Sequence, residues 1–317
     1  MRTAETAARR RRLILRVLGF GLFAVTAWLV AEIVRETDWP AVLAALRRRE
    51  AADLVLIAAL ALASHALYGC IDVIGARALR LRLPRRRVWL TATGSYACNL
   101  NLGSLVGAAA LRFKLYGRQG VAAADISRMI AISVAANWMG HLALFATLPL
   151  WGGLAVLARW TGRAGALGLC LVAAAAVALY LLACWRAREW NVRGYRFRFP
   201  RWRLGLSQIA VAAANWALIG AVLQRCLGDG ADYAATLAAL LIAAVAGAAV
   251  HVPGGWGVLD YVILKSLAGS LDAHRIVAGV LVYRAAYYLL PLALAALSIA
   301  WLLRRAPPSA AAADEPA

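Results

Sequence analysis

Acidic residues are scarce in this chain: 15 of them stand against 35 arginines and lysines over 317 positions. Only 16% of residues carry a charge while 63% are hydrophobic. A soluble domain carries about a quarter of its residues charged, so this balance excludes one. Lysine is nearly missing, with Lys114 and Lys265 the two examples. The five cysteines, Cys70, Cys98, Cys170, Cys184 and Cys226, include no C-x-x-C pair and lie in or beside apolar runs. They read as small packing residues, not as metal ligands or redox pairs. H-E-x-x-H, G-x-S-x-G and P-loop patterns are missing as well. The carboxylates within apolar regions, Asp72, Asp125 and Asp260, form no close pair in the sequence. No enzymatic constellation emerges, and no cofactor or metal is implied.

What the chain does have is apolar runs close to twenty residues long, about the length that crosses a ~30 Å hydrocarbon core as helix. Spans are expected at 13–34, 52–76, 121–151, 164–185, 204–227 and 276–303. The first follows "RRRR" but is too long for a signal-peptide core and precedes no convincing cleavage site, so it reads as an uncleaved helix. A net charge of +20 raises the question of nucleic acid. The arginines, however, sit in short connectors between apolar runs, where cytoplasmic loops meet anionic headgroups. Nucleic-acid binding is therefore not expected. The chain divides into a basic cytoplasmic N-terminus (1–12), a transmembrane domain (13–305) and a disordered tail (306–317).

Two further apolar segments are irregular: 88–116, interrupted by "NLNLGS", and 233–270, interrupted by "HVPGGWG". Charge decides how they run. The connector 77–87 holds six arginines, and 186–203 holds seven against Glu189 alone, so both belong on the cytoplasmic side with the two termini. A single crossing by 88–116 would place 186–203 outside; a segment that enters, turns and returns keeps it inside. The same parity makes 233–270 enter and leave from the outer face. Arg47–Arg49 then fall outside, beside Glu36, Asp38 and Glu50, where "WPAVLAALRR" has an interfacial amphipathic pattern. The expected architecture is all-α: a polytopic integral membrane protein with six spanning helices plus two re-entrant broken helical hairpins entering from opposite faces, an arrangement transporters use around a central site.

The breaks supply the candidate site. Pro253 lacks an amide hydrogen, and Gly254, Gly255 and Gly257 permit backbone angles closed to other residues. Freed backbone groups at membrane depth must face protein or a water-filled cavity. A helix restarting near Trp256 would aim its unpaired amides, and the positive end of its dipole, at an anion such as a phosphate. Asp260 lies in that helix's first turn, where it can hold a cation, relay a proton or cap the helix. His251 flanks the break and titrates near neutral pH as a free side chain. Arg112, just past the other break, can bind phosphate through paired hydrogen bonds. Arg284 lies about 12 Å inside the last span, among Tyr283, Tyr287 and Tyr288, and must find a partner there or snorkel to the interface. His65, Asn137, His141 and Asn215 suit hydrogen bonds between helices.

"LRFKLYGRQG" and "VPGGWGVLD", in this order and spacing, resemble the lysylphosphatidylglycerol synthase/flippase transmembrane family. That family includes the membrane half of bacterial multiple peptide resistance factors, stand-alone YbhN-like proteins and hopanoid-associated members. Arg112, Leu115, Tyr116 and Gly120 match its arginine-bearing stretch. Pro253, Gly254, Gly255, Gly257 and Asp260 match P-G-G-x-G-x-x-E, with aspartate where glutamate is usual. The resemblance spans about 13–305. It implies an inner-membrane lipid translocator that moves an anionic or aminoacylated phospholipid or a related lipid between leaflets, with membrane lipids as partners and no synthase activity, because this chain ends just after its last helix. Two other readings compete: a membrane-embedded lipid-modifying enzyme, for which His251 with Asp260 is the nearest acid–base pair, and an accessory subunit of a lipid synthase.

Overall fold

In the computed structural model the described residues are 49–103, 109–186, 189–192, 195–250 and 253–305, with Pro40, Leu43, Ala44 and Arg47 besides. The expected first span 13–34, the termini 1–12 and 306–317, and His251 lie outside them. The described helices are α1 (Ala51–Ala78), α2 (Arg85–Leu102), α3 (Leu111–Gly117), α4 (Ala123–Ala146), α5 (Leu154–Trp185), α6 (Trp202–Leu227), α7 (Tyr233–Val250), α8 (Val258–Leu267), α9 (Ala273–Tyr283) and α10 (Leu290–Arg305). A π-helical segment, Arg284–Leu289, joins α9 to α10.

Five helical stretches among the described residues are long and apolar enough to cross a membrane: Ala51–Ala78, Ala123–Leu150, Leu154–Trp185, Trp202–Leu227 and Ala273–Leu302. They coincide with the five expected crossings that fall within those residues. The shortest has 26 residues, which at 1.5 Å per residue is about 39 Å of helix. The bundle's exterior is built from side chains such as Val55, Leu171, Val172, Leu179 and Leu297, while Ser64, His65, Asp72, Asn101, Arg112, His141 and Asn215 are buried. Apolar outside and polar inside is the partition a lipid solvent demands.

The helical architecture carries one addition. In the arginine-dense connector, β1 (Glu189–Val192) and β2 (Tyr195–Arg198) pair antiparallel, Glu189 opposite Arg198 and Val192 opposite Tyr195. The alternation in "YRFRF" is a period of two, which a strand accommodates and a helix does not.

Helix α6 is the hub, packing against α1, α4, α5, α7 and α9. Its crossing with α4 is close because Gly140 faces it: a β-carbon there would sit 2.4 Å from Ala212 Cβ and 2.6 Å from the Ala212 carbonyl carbon. Small residues of this kind let membrane helices approach without a hydrophobic driving force. Polar side chains add ties. Ser64 Oγ donates to Asn215 Oδ1 (2.7 Å), and His141 Nε2 donates to the Leu241 carbonyl (2.9 Å). The other two expected inter-helix donors act differently. His65 Nδ1 bonds within its own helix to the Ala61 carbonyl (2.9 Å), and Asn137 is engaged through its backbone carbonyl by Trp216 Nε1 (3.2 Å).

One end of the bundle is tied by arginines on helix carbonyls. Arg49 pairs with Asp53 at 2.7 Å and also donates to the carbonyls of Arg225 (2.8 Å) and Cys226, at the C-terminus of α6. Arg275 donates to the Leu227 carbonyl (2.9 Å) at the same terminus. These cations satisfy carbonyls that have no intrahelical partner and meet the negative end of the dipole. Arg49, expected in an outer connector, is thereby accounted for.

Both irregular segments break where glycine and proline are placed. Helix α2 ends at Leu102, with Gly103 at φ +81°. Helix α7 ends at Val250, and α8, which packs back against α7, begins at Val258 after a 3₁₀ turn over Pro253–Gly255. The two breaks touch: a β-carbon on Gly254 would lie 3.3 Å from the Leu100 carbonyl oxygen. Asn101 Nδ2 donates to the Ala97 carbonyl (2.8 Å) and, across the contact, to that of Tyr288 (3.2 Å). Both breaks therefore converge on the π-helical segment.

Candidate functional site

The segment 253–260 is shaped by backbone that L side chains rarely adopt. Gly254, Gly255 and Gly257 all have positive φ, +66°, +61° and +73°. The chain reverses tightly there and delivers Asp260 to the third position of α8. From it, Asp260 Oδ2 accepts a hydrogen bond from the Gly257 amide at 2.8 Å. That bond satisfies one free amide of the helix start and places a negative charge at its positive end.

Asp260 also meets Arg284. Arg284 Nε donates to Asp260 Oδ1 (3.1 Å), Nη2 to Oδ2 (2.6 Å), and Nη1 to the Gly254 carbonyl (3.2 Å). The guanidinium carbon lies 3.9 Å from the centre of the Trp256 ring and 5.6 Å from that of Tyr288. Arg284 is thus buried, held on one side by a carboxylate and faced by aromatic rings. It opens the π-helical segment, and such a bulge changes the direction of the side chains on its helix. The Asp260 side chain is 36% exposed, so the pair is closed on the arginine side and open on the aspartate side. Of the five N–H groups of Arg284, three are engaged among the described residues.

Arg112 stands elsewhere. Its Nε and Nη2 donate to Asp72 Oδ2 (2.9 Å) and Oδ1 (3.0 Å), and the Asp72 side chain has no exposed surface. Tyr116 donates its hydroxyl to Asp72 Oδ2 (3.2 Å), and Ser133 donates to Oδ1. The structure gives Arg112 a partner on α1 in place of the headgroup expected for it, and both side chains are sealed. A lone buried charge is expensive and its pairing removes the cost, so the pair reads as architecture.

The structure therefore brings Gly254, Gly255, Gly257, Asp260 and Arg284 into one place and leaves Arg112 outside it. Opposite roles for Arg284 and Asp260, one for phosphate and one for a cation, meet in a single ion pair. Trp256 beneath Arg284 and Ser133 beside Asp72 were not anticipated by sequence reasoning, and Asp72 and Tyr116, though named in it, were not foreseen as partners of Arg112. One signal was available: Asp72 and Arg112 are opposite charges inside apolar runs, and each needs a partner.

No family model matches the chain. It is 31% identical over 294 residues to the inner membrane protein YbhN of Escherichia coli (strain K12), covering 90% of this chain and 91% of that protein. It is 25% identical over 299 residues to an uncharacterized protein of Synechocystis sp., covering 89% of each. A stretch of 96 residues is 32% identical to a phosphatidylglycerol lysyltransferase of Staphylococcus xylosus, amounting to 29% of this chain and 11% of the enzyme.

Proposed function

This chain belongs to the family of the inner membrane protein YbhN, and from that premise we propose that it is a lipid translocator of the bacterial inner membrane. Its cargo is an anionic or aminoacylated phospholipid. The observation that carries the reading is the half-open Arg284–Asp260 pair, set at a helix break inside an apolar bundle. Charges at such depth are expensive and are retained where they serve a pathway.

In this reading the headgroup phosphate takes the remaining N–H groups of Arg284, assisted by the positive end of α8. Asp260, whose side chain is the exposed member, receives an amine where the headgroup carries one. Gly254, Gly255 and Gly257 keep the turn bare enough for a headgroup to approach, and His251, outside the described residues, flanks it. Arg112 serves the fold through Asp72. Six crossings and two broken hairpins entering from opposite faces, with both termini cytoplasmic, give the topology. The contact between the breaks then lies between the leaflets, where a headgroup passes. The chain acts as a carrier and leaves the lipid chemically unchanged.

The test is translocation of fluorescent phosphatidylglycerol in proteoliposomes, read by quenching of the outer leaflet. The native protein accelerates exchange, and Arg284→Ala and Asp260→Ala abolish the acceleration while still folding. Native protein that moves no lipid, or variants that match it, would refute the reading. The short match to a lysyltransferase favours a second reading, a lipid-modifying enzyme. Mass spectrometry of lipids incubated with the purified protein separates the two, since a carrier changes no mass.

A further inference from the structure

The arginine-dense connector begins and ends beside tryptophans. Trp185 closes α5 and Trp202 opens α6, and both side chains are exposed, by 73% and 47%. Behind them the two helices meet closely because α6 carries Gly205 there: a β-carbon at that position would lie 2.9 Å from Cys184 Sγ. Beside this crossing lies a groove of about 630 Å³, lined by Ala178, Leu181, Leu182 and Trp185 of α5 and by Trp202 and Leu206 of α6. That is the size of a small-molecule cleft. From Trp185 it reaches Ala178, about 10 Å deeper along α5.

The mouth of the groove differs from its floor. Arg186 follows Trp185, and Arg201 and Arg203 bracket Trp202; all three are exposed. The Arg203 guanidinium carbon lies 5.5 Å from the centre of the Trp202 ring. Among the described residues none of the three is in a salt bridge, unlike Arg49, Arg112, Arg128 and Arg284. The indoles differ from their counterparts too. Trp89, Trp151, Trp160 and Trp216 donate their N–H groups within the protein, whereas among the described residues Trp185 and Trp202 have no such acceptor. Apolar side chains below, amphipathic indoles at the rim and cations above follow the order of a membrane interface.

We infer that this groove holds an anionic diacyl phospholipid of the leaflet on the arginine side, one acyl chain in the slot and the phosphate on Arg186, Arg201 and Arg203. An apolar slot open to a bilayer fills with hydrocarbon, and the arginines decide which lipid supplies it. Guanidinium groups bind phosphate through paired hydrogen bonds, and a zwitterionic headgroup brings an ammonium that opposes them. A second copy of the chain seated on this face would set the same arginines against these. The lipid is retained, not carried: its site uses neither Arg284 nor Asp260, and it stands apart from translocation.

The experiment places the full chain in phosphatidylcholine vesicles containing phosphatidylglycerol with brominated acyl chains, which quench an indole they touch. A parallel series uses brominated phosphatidylethanolamine. The groove's share is the quenching lost in Trp185→Phe/Trp202→Phe. Phosphatidylglycerol reaches half of it at about a tenth or less of the mole fraction that phosphatidylethanolamine needs, since each arginine near anionic lipid is worth about a factor of five. Arg186→Gln/Arg201→Gln/Arg203→Gln removes that preference. Ala178→Phe fills the slot, leaves the charges in place and weakens quenching by phosphatidylglycerol. The substituted residues are all exposed, and each variant keeps the native thermal midpoint. Equal quenching by the two lipids overturns the inference, and so does a preference that survives the three glutamines. A preference lost with the arginines but untouched by Ala178→Phe also overturns it, because charge alone then gathers the lipid. Weak quenching by both lipids, with the chain cross-linking to itself at this face, assigns the groove to a second copy instead. Because the readout is confined to Trp185 and Trp202, a native protein that moves no lipid leaves the inference standing.

Discussion

The two interior arginine–aspartate pairs share one chemistry and differ in closure. Each arginine binds its carboxylate side-on through Nε and Nη2, Arg112 to Asp72 and Arg284 to Asp260. Asp72 is completely covered, and Tyr116 and Ser133 occupy its remaining acceptor sites. Asp260 keeps about a third of its surface open, and among the described residues its one further donor is an amide of its own helix start. A pair with every valence filled has nothing left to offer a ligand and ties α1, α3 and α4 together. A pair with one open side at a helix break can exchange its partner. Closure, and not the presence of charge, separates the fold's ion pair from the site's.

The largest effect expected is from Asp72→Ala, which strands Arg112 in the interior. Loss of one partner of a buried pair costs about 3–5 kcal/mol. That is a large share of the stability of most proteins, so the variant should express poorly and unfold early in detergent. Arg284→Ala should cost less stability than Asp72→Ala in the same unfolding assay, because the stranded Asp260 is partly hydrated, yet remove lipid exchange entirely. Equal stability losses for the two would erase the distinction drawn above. Ser133→Ala removes one donor from Asp72 and should cost about 1.5–3 kcal/mol, the range for a hydrogen bond to a charged group, with exchange retained per folded molecule. Trp256→Leu should be mildest, about 0.5–2 kcal/mol from the lost cation–ring contact. Its exchange rate, measured against salt concentration, tests whether the ring shields Arg284.

Spans were legible in the sequence because hydrocarbon thickness imposes a length on apolar runs, and 204–227 needed no further information. The break at 253–257 was legible because proline and three glycines have few other uses in an apolar run. Partnerships were not. Arg112 and Asp72 lie 40 residues apart, and Arg284 and Asp260 lie 24 apart, on different helices. Their meeting depends on how α1, α3, α8 and the π-helical segment pack, which no local pattern encodes. Arg112 looked like a headgroup ligand because its charge was visible and its pairing with Asp72 was not. The π-helical turn at Arg284 was equally hidden, since "LVYRAAYYLLP" reads as ordinary apolar helix.

The arginines on the end of α6 have a mechanical consequence. Arg49 beside α1 and Arg275 on α9 both grip the last carbonyls of α6, so three helix ends are fastened at one membrane face. The ends of these helices at that face cannot separate without releasing bonds to charged donors. Any rocking of α1, α6 and α9 must therefore swing their far ends about this fastening, as blades turn about a rivet.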